Sequence, residues 1–154
     1  MKARRAARRL AVDVLYESEI KDRLPSEALE DRRAQGWVVP TGSDDEEEPE
    51  PPETEPSPEV LEYVGTLVHG VQDHHADIDF LIRKYADHWA IERMPVVDRT
   101  LLRIALFELL WAGDIPVAVA INEAVELAQA LSTQDSGRFI NGLLGRVAEK
   151  ELTP

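Results

Sequence analysis

The chain contains no cysteine, which excludes disulfides, thiolate metal sites and a thiol nucleophile. It has only three each of Trp, Tyr and Phe, so an aromatic ring placed among charges is worth weighing as a contact residue. Basic residues number 17 against 30 acids, a net charge of −13 that on its face argues against a nucleic-acid partner. No apolar run reaches the roughly 20 residues of a membrane-spanning helix. The basic N-terminus is not followed by a signal-peptide core, because Asp13 splits Leu10–Leu15 and Glu17 and Glu19 come soon after. The same early acids oppose a mitochondrial transit peptide. There is no glycine-rich phosphate loop, no Gly-x-Ser-x-Gly and no His-Glu-x-x-His. These absences predict a cytoplasmic chain that is not an enzyme and carries no cofactor.

What is present is segregated. Residues 44–59 hold nine acids and no base, and the rest of the chain is only at −4. Five of the ten prolines fall in the same stretch. Such a segment buries too little apolar surface to offset its ordering entropy, so residues 38–58 are expected to be a disordered acidic, proline-rich insert within a single domain spanning 1–154. Residues 1–10 carry Lys2, Arg4, Arg5, Arg8 and Arg9 and no acid, which puts the basic charge on one short segment.

Apolar periodicity is helical throughout. A first helix is expected from Ala3 to Ile20, with Ala7, Leu10, Ala11, Val14 and Leu15 facing inward and Arg5, Arg9, Val12 and Tyr16 in a second row opposite. Pro25-Ser26 should cap a short helix over Glu27–Gln35, and Ser57-Pro58 should start a third. Further helices are expected over Ala76–His88, Val96–Ala112, from Pro116, and from Asp135 or Ser136. The fifth is apolar nearly all round and should be central. Gly113 suits its end, whereas Gly142 and Gly145 in the last helix would be justified by close approach of another backbone. No segment shows the period of a strand, so the fold class is all-α with about seven helices.

The arginine cluster is the leading candidate for chemistry. Arginine makes forked hydrogen bonds to phosphate and stacks on bases, and cations at a helix N-terminus oppose the macrodipole, which favours a functional reason for them. The plain alternative is a solvated tail. Tyr16, in line with Arg5 and Arg9, suits a base or a protein partner, or simply a covering helix. His69 and His74 are five apart, not four, so no helical metal pair forms and the histidines read as surface residues. Asp73, Asp77 and Asp79 read as a solvated turn, Arg99 and Arg103 as a polar ridge with a salt bridge to a neighbouring helix, and Asn122, Glu123 and Glu126 as the outer side of the sixth helix.

Several blocks, in order, resemble the NusB family. They are Val97-Asp98-Arg99, Leu102-Arg103-Ile104-Ala105-Leu106-Phe107-Glu108-Leu109, Asp114-Ile115-Pro116, Ala120-Ile121-Asn122-Glu123-Ala124-Val125-Glu126-Leu127-Ala128, Asp135-Ser136 and Phe139-Ile140-Asn141-Gly142. The Arg-rich start and Leu15-Tyr16 add to them, and Leu131–Ser136 is most similar to actinobacterial members. The resemblance implies two packed helical subdomains and a transcription antitermination factor. Such a factor binds the boxA element of nascent rRNA together with NusE, a small-subunit ribosomal protein, and meets other Nus factors and RNA polymerase through that complex. It implies RNA contacts at Lys2, Arg4, Arg5 and Arg8, an RNA-proximal loop and helix start at Asp135, Ser136, Arg138 and Phe139, and a NusE-facing surface at Tyr16 and Asp98. The acidic insert departs from the family pattern and could screen the basic patch. Two alternatives stand beside this reading: a helical protein-binding scaffold or homodimer without RNA, and the RNA-binding part of an rRNA methyltransferase.

Overall fold

The computed structural model describes residues 2–37, 56–86 and 89–152. The chain forms α1 (Lys2–Ile20), α2 (Pro25–Gln35), α3 (Pro58–Asp73) and α4 (His75–Tyr85), a 3-10 turn (Ile91–Arg93), α5 (Val96–Phe107), a π turn (Glu108–Ala112), α6 (Val117–Leu131) and α7 (Gln134–Glu151). Among the described residues there is no strand, so the all-α, seven-helix expectation is met. The expected insert at 38–58 lies outside the described residues up to position 55. Its last residues are ordered: Ser57 Oγ accepts from the Val60 amide at 3.3 Å and Pro58 opens α3.

α1 lies against α2, α3 and α5, while α5 also touches α4, α6 and α7. Leu101, Leu102 and Leu106 of α5 are fully buried beside Leu67, Ile78, Ile140 and Leu144, which makes α5 the central strut its all-round apolar sequence predicts. Val12 is buried as well, so the second row of α1 is interrupted by core. No described helix is long and apolar enough to cross a membrane.

Four local expectations are corrected. Pro25 occupies the first turn of α2 and Leu24 the cap, so Ser26 is not the cap. The fifth helix does not continue to Ala112 but widens into a π turn at Glu108. Asp79 is buried against Arg103, with Nε–Oδ1 at 2.9 Å and Nη2–Oδ2 at 3.0 Å, rather than in a solvated turn. Among the described residues Gly142 meets only the Arg146 guanidinium at 3.5 Å and Gly145 faces open space; the close approach is at Gly70, where a Cβ would stand 2.2 Å from Phe107 Cε1. The expected salt bridge from the Arg99–Arg103 ridge is present: Arg99 reaches Glu19 of α1 with Nε–Oε1 at 2.5 Å, and Arg103 joins Asp79 of α4.

Candidate nucleic-acid interface

The first two turns of α1 lie beside the Asp114–Pro116 turn and the start of α6. Arg4, Arg5 and Arg8 line a cavity of about 390 Å³ there, with Ile115, Pro116 and Val119 as its apolar wall. The three arginines are not equivalent. Arg4 donates from Nη2 to Asp114 at 2.7 Å and lies 4.9 Å above the Tyr63 ring. Arg5 makes a forked pair with Glu123, at 3.2 and 2.9 Å, and reaches Glu126 at 3.2 Å. Both guanidinium groups keep solvent-facing surface.

Arg8 is different: it is 4% exposed. Its Nε and Nη2 donate to the two oxygens of Glu108 at 2.8 and 2.9 Å, and Tyr63 donates its hydroxyl to Glu108 at 2.5 Å. Arg8 Nη1 is 3.9 Å from Glu123. Desolvation works against the Arg8 charge, but the hydrogen bonds and field of Glu108 outweigh it and its pKa rises. Burial, then the bond to Glu108, pushes the Tyr63 phenol up as well. A buried guanidinium needs such partners, because an unpaired ion in the core costs several kcal/mol. The expected RNA contact at Arg8 is therefore corrected: this side chain is sealed under the surface and braces the helix that carries Arg4 and Arg5.

The patch is not a bare cationic face. Asp114, Glu108, Glu123 and Glu126 outnumber its three arginines. Glu123 is half-buried against α1, not on the outer side of α6. The hydrogen bond to Glu123 leads the causes that raise the Arg5 pKa, and the bond from Arg4 leads those that lower Asp114. The Lys2 side chain lies outside what the structure describes.

At the start of α7, Thr133 Oγ1 caps the helix by accepting from the Ser136 amide at 3.0 Å. Asp135 and Arg138 are exposed and 3.8 Å apart. Phe139 is half-buried, edge-on to Trp89 with ring centroids at 4.6 Å. Ser136 is buried and donates to Asp98 at 2.7 Å. The helix α6 spans both regions, since Glu123 holds Arg5 and Gln129 packs against Gly137.

Tyr16 is 42% exposed, and Ile20, one turn further along α1, is exposed as well. Asp98, expected on the same partner-facing surface, is 0% exposed. That expectation is corrected as well: the position falls in the first turn of α5, the turn is covered by the start of α7, and the carboxylate points to Ser136. Glu108, Glu123 and Tyr63 were not singled out as site residues from sequence. The usable signal was Glu108 itself, an acid in an apolar helix that required a buried cation. Among the described residues no group of His, Asp and Glu side chains is arranged to hold a metal.

The NusB family model matches residues 5–149. The transcription antitermination protein NusB of Salinispora arenicola is 48% identical over 149 residues, covering 97% of each chain. That of Thermobifida fusca is 45% identical over 97% of this chain and 91% of its own. The T. maritima NusB structure superposes with a TM-score of 0.76 at 31% identity, over 96% of this chain and 91% of that one. A crystal structure of the antitermination factors NusB and NusE with double-stranded RNA shares the fold, at a TM-score of 0.75 and 23% identity over 97% and 98% of the chains. With a family match across nearly its whole length and relatives at this identity, the chain belongs to the NusB family.

Proposed function

We propose that this protein is a cytoplasmic, non-catalytic transcription antitermination factor. It binds boxA-type single-stranded nascent RNA of the rRNA leader together with NusE and acts on RNA polymerase through the other Nus factors. The observation that carries this reading is the pair Arg4 and Arg5, solvent-facing on a helix braced from below by Arg8–Glu108, in a chain whose relatives are named as antitermination proteins over 97% of its length. Arginine forks fit phosphate oxygens, and the wall of Ile115, Pro116 and Val119 offers apolar surface to a sugar or base. Lys2, Arg4, Arg5, Asp135, Arg138 and Phe139 make the RNA-facing set, with Arg8 and Ser136 supporting it. Tyr16, with exposed Ile20 one turn further along α1, forms the NusE-facing surface; exposed apolar side chains of this kind suit a protein partner.

A titration of single-stranded boxA RNA, with and without NusE, tests this. NusE should tighten RNA binding, and the double substitution Arg4→Ala, Arg5→Ala should weaken it while the helical circular dichroism stays the same. Unchanged affinity in the double variant overturns the assignment of the site. Absence of RNA binding in the presence of NusE overturns the function.

A further inference from the structure

A second cavity, of about 400 Å³, shares Arg4 and Asp114 with the arginine-lined one and lies between α1, α3 and the π turn. Its chemistry is the opposite of a phosphate site. Glu59, Glu62 and Asp114 line it with Tyr63, Phe107 and Trp111, and among the described residues Arg4 is its single cation. Among the described residues the carboxylates of Glu59 and Glu62 have no hydrogen-bond or ion-pair partner. Three carboxylates around one guanidinium leave the groove net negative, so it repels an RNA backbone and attracts a cation. The aromatic lining selects an organic cation over a hydrated metal ion, because guanidinium and ammonium groups bind ring faces after shedding water.

Arg4 displays the mode of recognition. Its guanidinium lies over the Tyr63 ring at 4.9 Å while donating to Asp114 at 2.7 Å. We propose that this groove is a binding site for an arginine side chain of a basic protein segment, held by Glu59, Glu62 and Asp114 over the aromatic floor. Arg4 is then a resident competitor that occupies one end of the groove. Charge complementarity names the occupant, and Arg4 and Asp114, which line both cavities, make the groove continuous with the proposed RNA site. The site stands without the RNA reading, since nothing in its recognition uses RNA.

The test is an NMR titration of the full chain, following the Trp111 indole N–H, assigned through Trp111→Phe. The probe is a tetra-arginine amide, with a tetra-glutamate amide as control. The arginine peptide should shift the indole saturably and the glutamate peptide should not. Glu59→Gln with Glu62→Gln should weaken the peptide about fivefold, the sum of two exposed ion pairs. Arg4→Ala should tighten it about threefold by removing the competitor, although the same variant is expected to weaken RNA. Both glutamates are exposed, and their amides keep shape, so a folding defect does not intervene. An indole unmoved by the arginine peptide, affinities unchanged across both variants, or an RNA oligonucleotide saturating this indole in place of the peptide would each overturn the proposal.

Discussion

Ser136 Oγ donates a hydrogen bond to Asp98 at 2.7 Å inside the molecule, tying the first turn of α7 to the first turn of α5. The hydroxyl is itself surrounded by Ser132 Oγ at 3.0 Å and Thr133 Oγ1 at 3.1 Å. The other Asp98 oxygen is buried and has no partner among the described residues. Two residues expected on two different binding surfaces thus form one internal latch, and both act by fixing where α7 begins. A buried carboxylate that loses its donor bears its full desolvation cost. Ser136→Ala should therefore destabilise the fold by about 1–3 kcal/mol, read by urea unfolding. A change within about 0.5 kcal/mol, the usual span of surface substitutions, would show that the latch does nothing.

Arg8 and Glu108 should behave as a unit. Removing one member of a buried pair leaves an uncompensated charge and costs about 3–5 kcal/mol, whereas replacing both with apolar groups is far milder. Arg8→Met and Glu108→Leu should each be strongly destabilising, and the double variant should be more stable than the sum of the two predicts. A double-mutant cycle in urea gives the coupling. Additive losses would mean that the forked contact contributes little.

How far the sequence revealed this molecule follows from the physics of each signal. Helical periods of apolar residues placed the helices other than α2, because burial of one stripe is a local property of the sequence; α2 was placed by Pro25-Ser26 at its start. Ser57-Pro58 marked the start of α3 for the same reason. What escaped was nonlocal. Arg4, Arg5 and Arg8 are separated from their acids by about a hundred residues, so charge counting along the chain saw a cationic patch where the fold assembles ion pairs. Asp98 looked like a surface acid because its cover, Ser136, arrives from another helix. The π turn has no composition signal, since Glu108–Ala112 reads as ordinary helix; it is marked only by the buried acid at its start.

Ion pairing within the RNA-facing patch should tune its affinity. Arg5→Ala removes one phosphate contact on the proposed reading, so the log–log salt dependence of single-stranded RNA binding should flatten by about 0.7. Glu126→Gln removes the more exposed of the two acids on Arg5 and should tighten RNA severalfold at low salt while leaving Glu123 to hold the guanidinium. Arg8→Lys should leave the slope unchanged, because Arg8 is not at the surface. A slope that drops as much for Arg8 as for Arg5 would return Arg8 to the contact set.

Tyr63 gives the fold an alkaline limit. Its phenol is held above the ordinary value near 10 by burial and by the bond to Glu108. A group whose pKa is raised by folding contributes stability fully below its unfolded pKa and loses it as pH climbs toward the folded one. Stability should thus begin to fall above about pH 10 as the unfolded phenol ionises first. Urea midpoints measured from pH 8 to 11 should show this decline, and it should be shallower in Tyr63→Phe. Identical slopes in the two proteins would remove Tyr63 from the account of alkaline unfolding.

Glycine substitutions separate packing from propensity. At Gly70 a methyl group would clash with the Phe107 ring, which α3 and α5 hold between them. Overpacking of this kind costs about 1–3 kcal/mol, and the π turn that follows Phe107 is anchored by the Arg8–Glu108 pair, so the ring has little room to retreat. Gly145 lies in α7 with open space where its Cβ would stand. Alanine there should stabilise the protein by about 0.5–1 kcal/mol through helix propensity and lost unfolded-state freedom. The two variants, compared by thermal unfolding, should therefore move the midpoint in opposite directions. If Gly70→Ala were neutral, the close contact of α3 with Phe107 would not be a constraint on the fold. If Gly145→Ala were destabilising, the open face of α7 must be covered by something, and a concentration-dependent midpoint would identify a second copy of the chain as the cover.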